Sequence, residues 1–417
     1  MRRGRSLPTI VLSIALASPA AAWITNLGAC GSPVAIVAAL DGDPIVVCNR
    51  RAGIRVARVA RCAGTVEWTR RLPGATFAVL PMKDGSPVVV AIEAPKKDSA
   101  PYRIALRRID QSDGRQRWRW RSRRLSPVAY GADRAEYYVR RPGYATPLPD
   151  GDVVVVLPSI VVVRVDGATG RERWNREMPG LGAPQAIAAT TDGTVVFKQG
   201  PGPFGDLRAV SAEDGAVRWT RDRSAISEDI DTLATAPEGD VYAAGTDDLE
   251  DSPTHVFVAR LAGDGAERWR IRPFPPLTAP SPPIRSSLGP SGTLAIWGTT
   301  SGPIGVQTGG ALAVLEPSGR RRWRTTVRLD DGASTRLDSV DIRPDGDVVL
   351  VADSSYAPRR MLIERLEPTF GFARLRIEQP GRADAVLADR GEQLIAARRT
   401  GKALHLVARG PLPPGCP

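Results

Sequence analysis

An all-β chain, closed as a β-propeller of eight four-stranded antiparallel blades, is what three regularities of this 417-residue sequence predict. The first is a glycine four residues ahead of a large anchor: Gly64–Trp68, Gly114–Trp118, Gly170–Trp174, Gly215–Trp219, Gly265–Trp269, Gly319–Trp323 and Gly371–Leu375. The anchors stand 50, 56, 45, 50, 54 and 52 residues apart. A period near fifty with one Trp per repeat marks a radial array rather than an ordinary domain. The second is a hairpin turn of the Asp-Gly kind, repeated eight times between the anchors, as in Asp41-Gly42-Asp43, Asp150-Gly151-Asp152 and Asp345-Gly346-Asp347. Glycine supplies the positive φ such turns need. The third is Trp23, which lies 45 residues before Trp68 and so falls in phase with the rest.

Each unit reads as strand, Asp-Gly turn, strand, loop, strand, Gly turn, strand with Trp. In one unit the strands are Ala186–Thr190, Thr194–Gln199, Leu207–Ala212 and Ala216–Thr220. Four antiparallel strands repeated radially is the propeller plan. Eight Asp-Gly turns meet only seven internal fourth strands. The last unit offers Ala383–Leu387, Gln393–Arg398 and Ala403–Ala408 and then lacks a fourth. The segment around Trp23 can supply it, closing the ring; seven blades with a ragged end is the alternative.

The N-terminus reads as a signal peptide over residues 1–22: Arg2, Arg3 and Arg5, an apolar run from Leu7 to Ala17, then Ala20-Ala21-Ala22. Residues 23–417 then form a single propeller domain in an exported protein, whether periplasmic, at the cell surface or secreted. Leu27-Gly28-Ala29-Cys30 offers a competing reading as a lipidation site. Cleavage there would remove Trp23 and the closing strand, and Thr25-Asn26 interrupts the apolar approach. Membrane anchoring is expected only if Cys30 is lipidated.

Four cysteines suit an oxidising compartment. Three pairings are possible. Strand placement favours Cys30–Cys48 on one face of the ring and Cys62–Cys416 near the other. No Cys-x-x-Cys or Cys/His cluster is present, so no metal is expected.

The formal charge is +12, or +9 once Arg2, Arg3 and Arg5 are set aside. Arginines concentrate on the fourth strands, for example Arg119, Arg121, Arg123 and Arg124, or Arg320, Arg321, Arg322 and Arg324. They suit either a basic rim for anionic polymers or protection of an outer strand edge. Export argues against nucleic acid as the partner.

The stretch Asp166-Gly167-Ala168-Thr169-Gly170-Arg171-Glu172-Arg173-Trp174 resembles the tryptophan-docking motif of PQQ-type propellers, the repeat of quinoprotein alcohol dehydrogenases. Val256–Trp269 is similar to the repeats of large secreted bacterial propeller families. The resemblance implies that Trp23, Trp68, Trp118, Trp174, Trp219, Trp269 and Trp323 pack between neighbouring blades. Leu375 departs from it, so the seventh blade should pack more loosely. The dehydrogenases also carry a vicinal-cysteine ring and a calcium-bound acid near the cofactor. Neither pattern occurs here, so neither PQQ nor calcium is expected.

Binding residues are expected on the longer loops, opposite the tight turns. The segment 122–149 holds Tyr130, Tyr137, Tyr138 and Tyr144 with Arg134, Arg140 and Arg141. Tyr and Arg are the residue types that anchor interfaces. The structural alternative makes Ala135–Arg140 the first strand of the third blade. Two other loops stand out: Pro273–Arg285 with six prolines, and the acidic Asp247–Asp251, which lacks EF-hand spacing. His255 and His405 are the only histidines, and neither has a visible companion nucleophile. The sequence therefore predicts a monomeric, non-enzymatic scaffold that binds a protein or envelope polymer through its loop face. A PQQ-dependent or lyase-like propeller enzyme is the alternative.

Overall fold

In the computed structural model, residues 21–51, 53–93, 102–123, 125, 145–157, 161–178, 184–199, 206–221, 228–236, 238–247, 255–275, 280–301, 307–329, 335–354, 360–380, 382–388, 394–400 and 403–409 are described. They form eight four-stranded antiparallel sheets. The first strand of each blade lies beside the first strand of the next, all the way round. These strands therefore form the inner wall of a closed ring. Blade 8 takes its fourth strand from Ala21–Ala29, which pairs with Ala403–Arg409 in the register Trp23↔Ala408. The expected closure by the N-terminal strand is what the fold contains, and the seven-blade alternative falls. The first strand of blade 3 is Ala145–Pro147, not Ala135–Arg140.

Burial explains the composition of the strands. Second strands such as Val153–Leu157 are buried at every residue. Both faces of a blade are covered by neighbouring blades, so no polar face remains there and alternation disappears. Fourth strands are outermost and mostly exposed, as in Glu172–Glu177. First strands carry a register shift, for example between Thr76 and Ala78, Ile230 and Thr232, and Leu337 and Ser339. Such bulges bend a strand and re-aim the extra residue. At Asp231 the re-aimed carboxylate accepts the Ile284 backbone N–H of the next blade at 2.9 Å.

The blades are joined by a repeated clasp. Gln111 O, in the last turn of blade 2, accepts Trp68 Nε1 at 3.0 Å and Arg58 Nη1 at 2.9 Å, both from blade 1. Ala212 O likewise accepts Trp174 Nε1 and Arg164 Nη1, each at 2.8 Å. Pro317 O accepts Trp269 Nε1 at 3.2 Å and Arg260 Nη1 at 2.9 Å. Gly167 O receives Trp118 Nε1 at 2.7 Å together with Arg108. The arginine stands opposite the Trp in the ladder, as in Arg58↔Trp68 and Arg164↔Trp174. Its other nitrogens bind the Asp-Gly-Asp turn of its own blade: Arg58 to Asp43 at 2.8 Å, Arg164 to Asp152 and Arg260 to Asp240 at 2.7 and 2.6 Å. The turn acids thus do more than favour the turn. The first caps the turn backbone, as Asp150 does for the Asp152 N–H, and the second fixes the clasp arginine.

The same contact explains the spacing of Gly and Trp. A Cβ on Gly170 would stand 2.8 Å from the Trp118 ring, and one on Gly114 would stand 2.6 Å from Trp68. The glycine of one repeat is the seat for the Trp of the repeat before it. Leu375 has no N–H to donate. It is half-buried against a cluster that includes Val349, Ile363 and Ile377.

Cys30 and Cys48 are disulfide-bonded with Cα atoms 5.7 Å apart, as the sequence predicts. Cys30 sits between the closing strand and Gly31–Ala38, the first strand of blade 1, so the bond pins the seam of the ring. Cys62 is also disulfide-bonded and lies in the turn after Gly53–Val59. Cys416 lies outside the described residues.

Three outcomes are expected. Replacing Trp118, which is 6% exposed, with Ala should cost about 3–5 kcal/mol in urea unfolding. Gly170→Ala should destabilise by about 1–3 kcal/mol through overpacking against the same ring. Opening Cys30–Cys48, which spans 18 residues, should cost about 3 kcal/mol and raise hydrogen exchange first at residues 404–408. Acid should also weaken the last turn of blade 2, which Asp110 caps. The Ser112 hydroxyl, with the Ser112 N–H and Arg117, holds the Asp110 carboxyl down at about 2. This is below its unfolded value of about 3.9, so its stabilisation is complete above that pH and is lost as pH falls toward about 2. The urea midpoint should be level above about pH 5 and fall below about 4, less steeply in Asp110→Asn.

Candidate interaction surfaces

The two faces of the ring differ in how their residues are used. The turn between the first two strands and the turn between the last two share one face, and Gln111 ties them together. Its Nε2 donates to Asp84 O at 2.7 Å, and its Oε1 accepts the Leu40 N–H of blade 1 at 2.8 Å. Other polar links cross between blades near the inner wall. Asn49 and Thr76 exchange bonds of 3.1 and 2.8 Å, Thr232 and Ser286 meet at 2.8 Å, and Arg285 Nη1 donates to Asp338 O at 2.8 Å. Buried Lys198 of blade 4 is paired with Asp229 of blade 5. Polar groups buried without partners are costly, so these links hold the blades in register.

The residues expected to bind, Tyr130, Tyr137, Tyr138, Arg141 and Tyr144, lie outside the described residues. So do Asp248–Asp251 and residues 276–279. The described flanks of the tyrosine segment are Leu125, bridged to Tyr102, and Ala145, at the start of blade 3.

A surface the sequence reading passed over lies on the turn face of blade 7. Phe370 and Phe372 are 68% and 69% exposed, with ring centroids 6.0 Å apart. They flank Gly371, the seat of Trp323, so the clasp holds the turn beneath them. The Glu367 carboxylate accepts the N–H groups of Thr369, at 2.9 Å, and of Phe370. The corresponding pairs in other blades are Asp113 and Arg115, Thr169 and Arg171, Asp214 and Ala216, Asp264 and Ala266, and Ser318 and Arg320. A Phe-Gly-Phe turn, where the other six such turns have small or polar residues on either side of the glycine, is the signal the sequence offers.

The fourth-strand arginines are largely committed to internal partners. Arg173 lies 2.7 Å from both Asp152 and Asp166, Arg268 lies 2.7 Å from Asp240, and Arg272 lies 2.7 Å from Asp247. Neither of the two readings of this charge anticipated that role.

His255 stands across the ladder from Asp247, whose carboxylate is held by Arg272. His405 is half-buried, and burial, with Arg398 nearby, pushes its pKa down. No group of three or more His, Cys, Asp or Glu side chains able to hold a metal occurs among the described residues. Cys30 and Cys48 are joined across strands rather than as neighbours in sequence.

Comparison with known proteins agrees with this architecture. Residues 9–180 and 159–359 match the family described as outer membrane protein assembly factor BamB. The crystal structure of BamB from Moraxella catarrhalis superposes with a TM-score of 0.53 at 15% identity, covering 93% of this chain and 100% of that one. The C-terminal WD40 domain of Sif2 gives 0.59 at 11% identity, covering 93% and 97%. At such identities the likeness shows the fold alone. None of the curated proteins matches the chain. The repeat, its clasp and the family match over most of the length agree: the chain belongs to the outer membrane protein assembly factor BamB family of PQQ-like propellers.

Proposed function

We propose that this protein is an exported, non-enzymatic scaffold that holds a protein partner during assembly of envelope proteins. The observation that carries the reading is the family match across residues 9–359. A rigid ring held by clasps presents fixed surfaces and needs no chemistry of its own. Residues 1–22 act as the export leader, and the disulfide at Cys30 is consistent with an oxidising compartment outside the cytoplasm. The Cys30 sulfur is engaged by Cys48, and the strand ahead of it completes blade 8. Lipidation at Cys30 would require giving up both, so the reading places cleavage ahead of Trp23, which leaves the closing strand from Trp23 to Ala29 in place.

The partner surface supported by described residues is the Phe370–Phe372 pair. Exposed aromatic anchors on a rigid turn are the side chains that carry binding energy at interfaces. This moves the contact from the loop face to the turn face.

The test is chemical cross-linking in the native envelope, followed by affinity purification of the full chain. An outer-membrane protein assembly component should be recovered with the wild type. Phe370→Ser with Phe372→Ser should reduce its recovery about tenfold or more at unchanged melting temperature. Loss only in Tyr137→Ala with Tyr138→Ala would return the contact to the loop face. Recovery of no assembly component with wild-type protein would sink the scaffold reading.

A further inference from the structure

In four blades the third-strand residue just ahead of the anchor-facing position is small and apolar: Ala57, Val163, Ala259 and Ala313; in blade 7 it is Glu364, and in blade 4 it is Arg208, which is paired with Asp206. In blade 2 it is Arg107, whose side chain is 0% exposed. Arg107 stands opposite Arg119 in the ladder, and Arg121 lies two residues along the same face. All three reach one carboxylate. Arg107 Nη2 and Arg119 Nη2 both bind Glu93 Oε1, and Arg121 Nε lies 3.0 Å from Oε2. Arg103 faces Glu93 across the ladder, so it adds positive charge there.

Three guanidiniums on one carboxylate leave two positive charges uncompensated. The corresponding acid of blade 5, Asp247, holds Arg272 and makes a neutral pair. In blade 2, Arg107 Nε and Nη1 and Arg119 Nε are buried without a hydrogen-bond partner. An uncompensated buried charge is strongly unfavourable. Consistently, burial pushes the Arg107 pKa down, with Arg119 adding to the effect against Glu93. Nothing in the blade clasps uses these side chains. Arg119 and Arg121 are 26% and 42% exposed and can be reached from solvent.

We propose that this cluster on blade 2 is an oxyanion site that binds a phosphate group, with Arg119 and Arg121 donating to it and Arg107 supplying charge behind them. The charge count selects the ligand. With Arg103 beside the other three arginines, a phosphate dianion neutralises more of the surplus charge than a carboxylate does. The planar guanidinium fork matches phosphate oxygens in bidentate fashion. The phosphate can be free or part of a lipid headgroup. The site is independent of the scaffold reading and of the aromatic pair on blade 7.

The test is calorimetric titration of the full chain with inorganic phosphate in a chloride buffer. One saturable site is expected. Arg119→Gln with Arg121→Gln should weaken it about tenfold or more at unchanged melting temperature, and Arg121→Lys should fall between. Arg272→Gln on blade 5 should leave binding unchanged. Competition by phosphatidic acid vesicles, whose headgroup is a phosphate monoester, would assign the site to a headgroup, and its absence would assign it to free phosphate. No saturable binding at millimolar phosphate, or binding unaltered in the double variant, would overturn the proposal. So would displacement of nothing but an acidic peptide, which would make the ligand a carboxylate.

Discussion

One backbone carbonyl at six of the blade boundaries is the constraint on which the ring depends. It is the acceptor for an indole N–H and, in several blades, for a guanidinium that is itself tied to the turn acids of its own blade. A propeller has no core of its own beyond the interfaces between blades. Apolar faces alone set the distance between two sheets but leave them free to slide. A directional bond from a buried Trp to a fixed carbonyl removes that freedom. The acid-held arginine stiffens the donor side, because a charge-assisted bond is shorter and stronger than a neutral one. The glycine requirement follows from the same point, since only a residue without a side chain lets the ring of the preceding Trp approach the turn.

This explains which parts of the molecule were legible in the sequence. Positive φ and close approach admit little but glycine, so Gly114, Gly170 and Gly215 stand out without any alignment. The phase of Trp23 gave the closing strand because a ring of identical interfaces must end as it began. The seam disulfide followed from strand placement once the topology was drawn. The arginine clasp was also present and went unread. Blades 1, 3 and 5 have a second turn acid, Asp43, Asp152 and Asp240, and an arginine opposite the Trp, Arg58, Arg164 and Arg260. Blades 4 and 6 have Thr194 and Thr293 in the turn and Ala209 and Val314 in the strand. Acid and base come and go together in these five blades, whereas in blade 2 Ser86 holds the second turn position and Arg108 pairs with Asp84 instead. Reading that pair requires the ladder register, since the two residues are far apart in sequence.

The binding loops were less legible for a physical reason. Turns are constrained by backbone geometry and so repeat, while the long connections carry no periodic requirement. Clustered Tyr and Arg in residues 122–149 therefore signalled composition and not position. Charge misled in a related way. Counted along the sequence, the fourth-strand arginines suggest a rim aimed at a partner. Placed in the fold, Arg173, Arg268 and Arg272 face carboxylates of their own blade. A net charge does not distinguish committed from uncommitted groups; only the ladder does.

In a repeat protein, the residues that deviate from the repeat without helping the ring hold the most information about function. A change that serves packing is matched by a compensating change, as Thr194 with Ala209 replaces Asp with Arg. Blades 2 and 7 contain changes with no such match. Arg107 replaces a small apolar residue and brings more positive charge than Glu93 neutralises. Phe370 and Phe372 stand where the other turns have small or polar residues, and gain no cover. Both are destabilising when judged by the folded chain alone, one through burial of charge and the other through exposure of apolar surface. Neither relieves strain in the clasps, which are intact around them. Selection for the ring alone would remove both. Uncompensated charge on blade 2 and uncovered aromatic rings on blade 7 are the physical observations on which the proposals for these two blades rest.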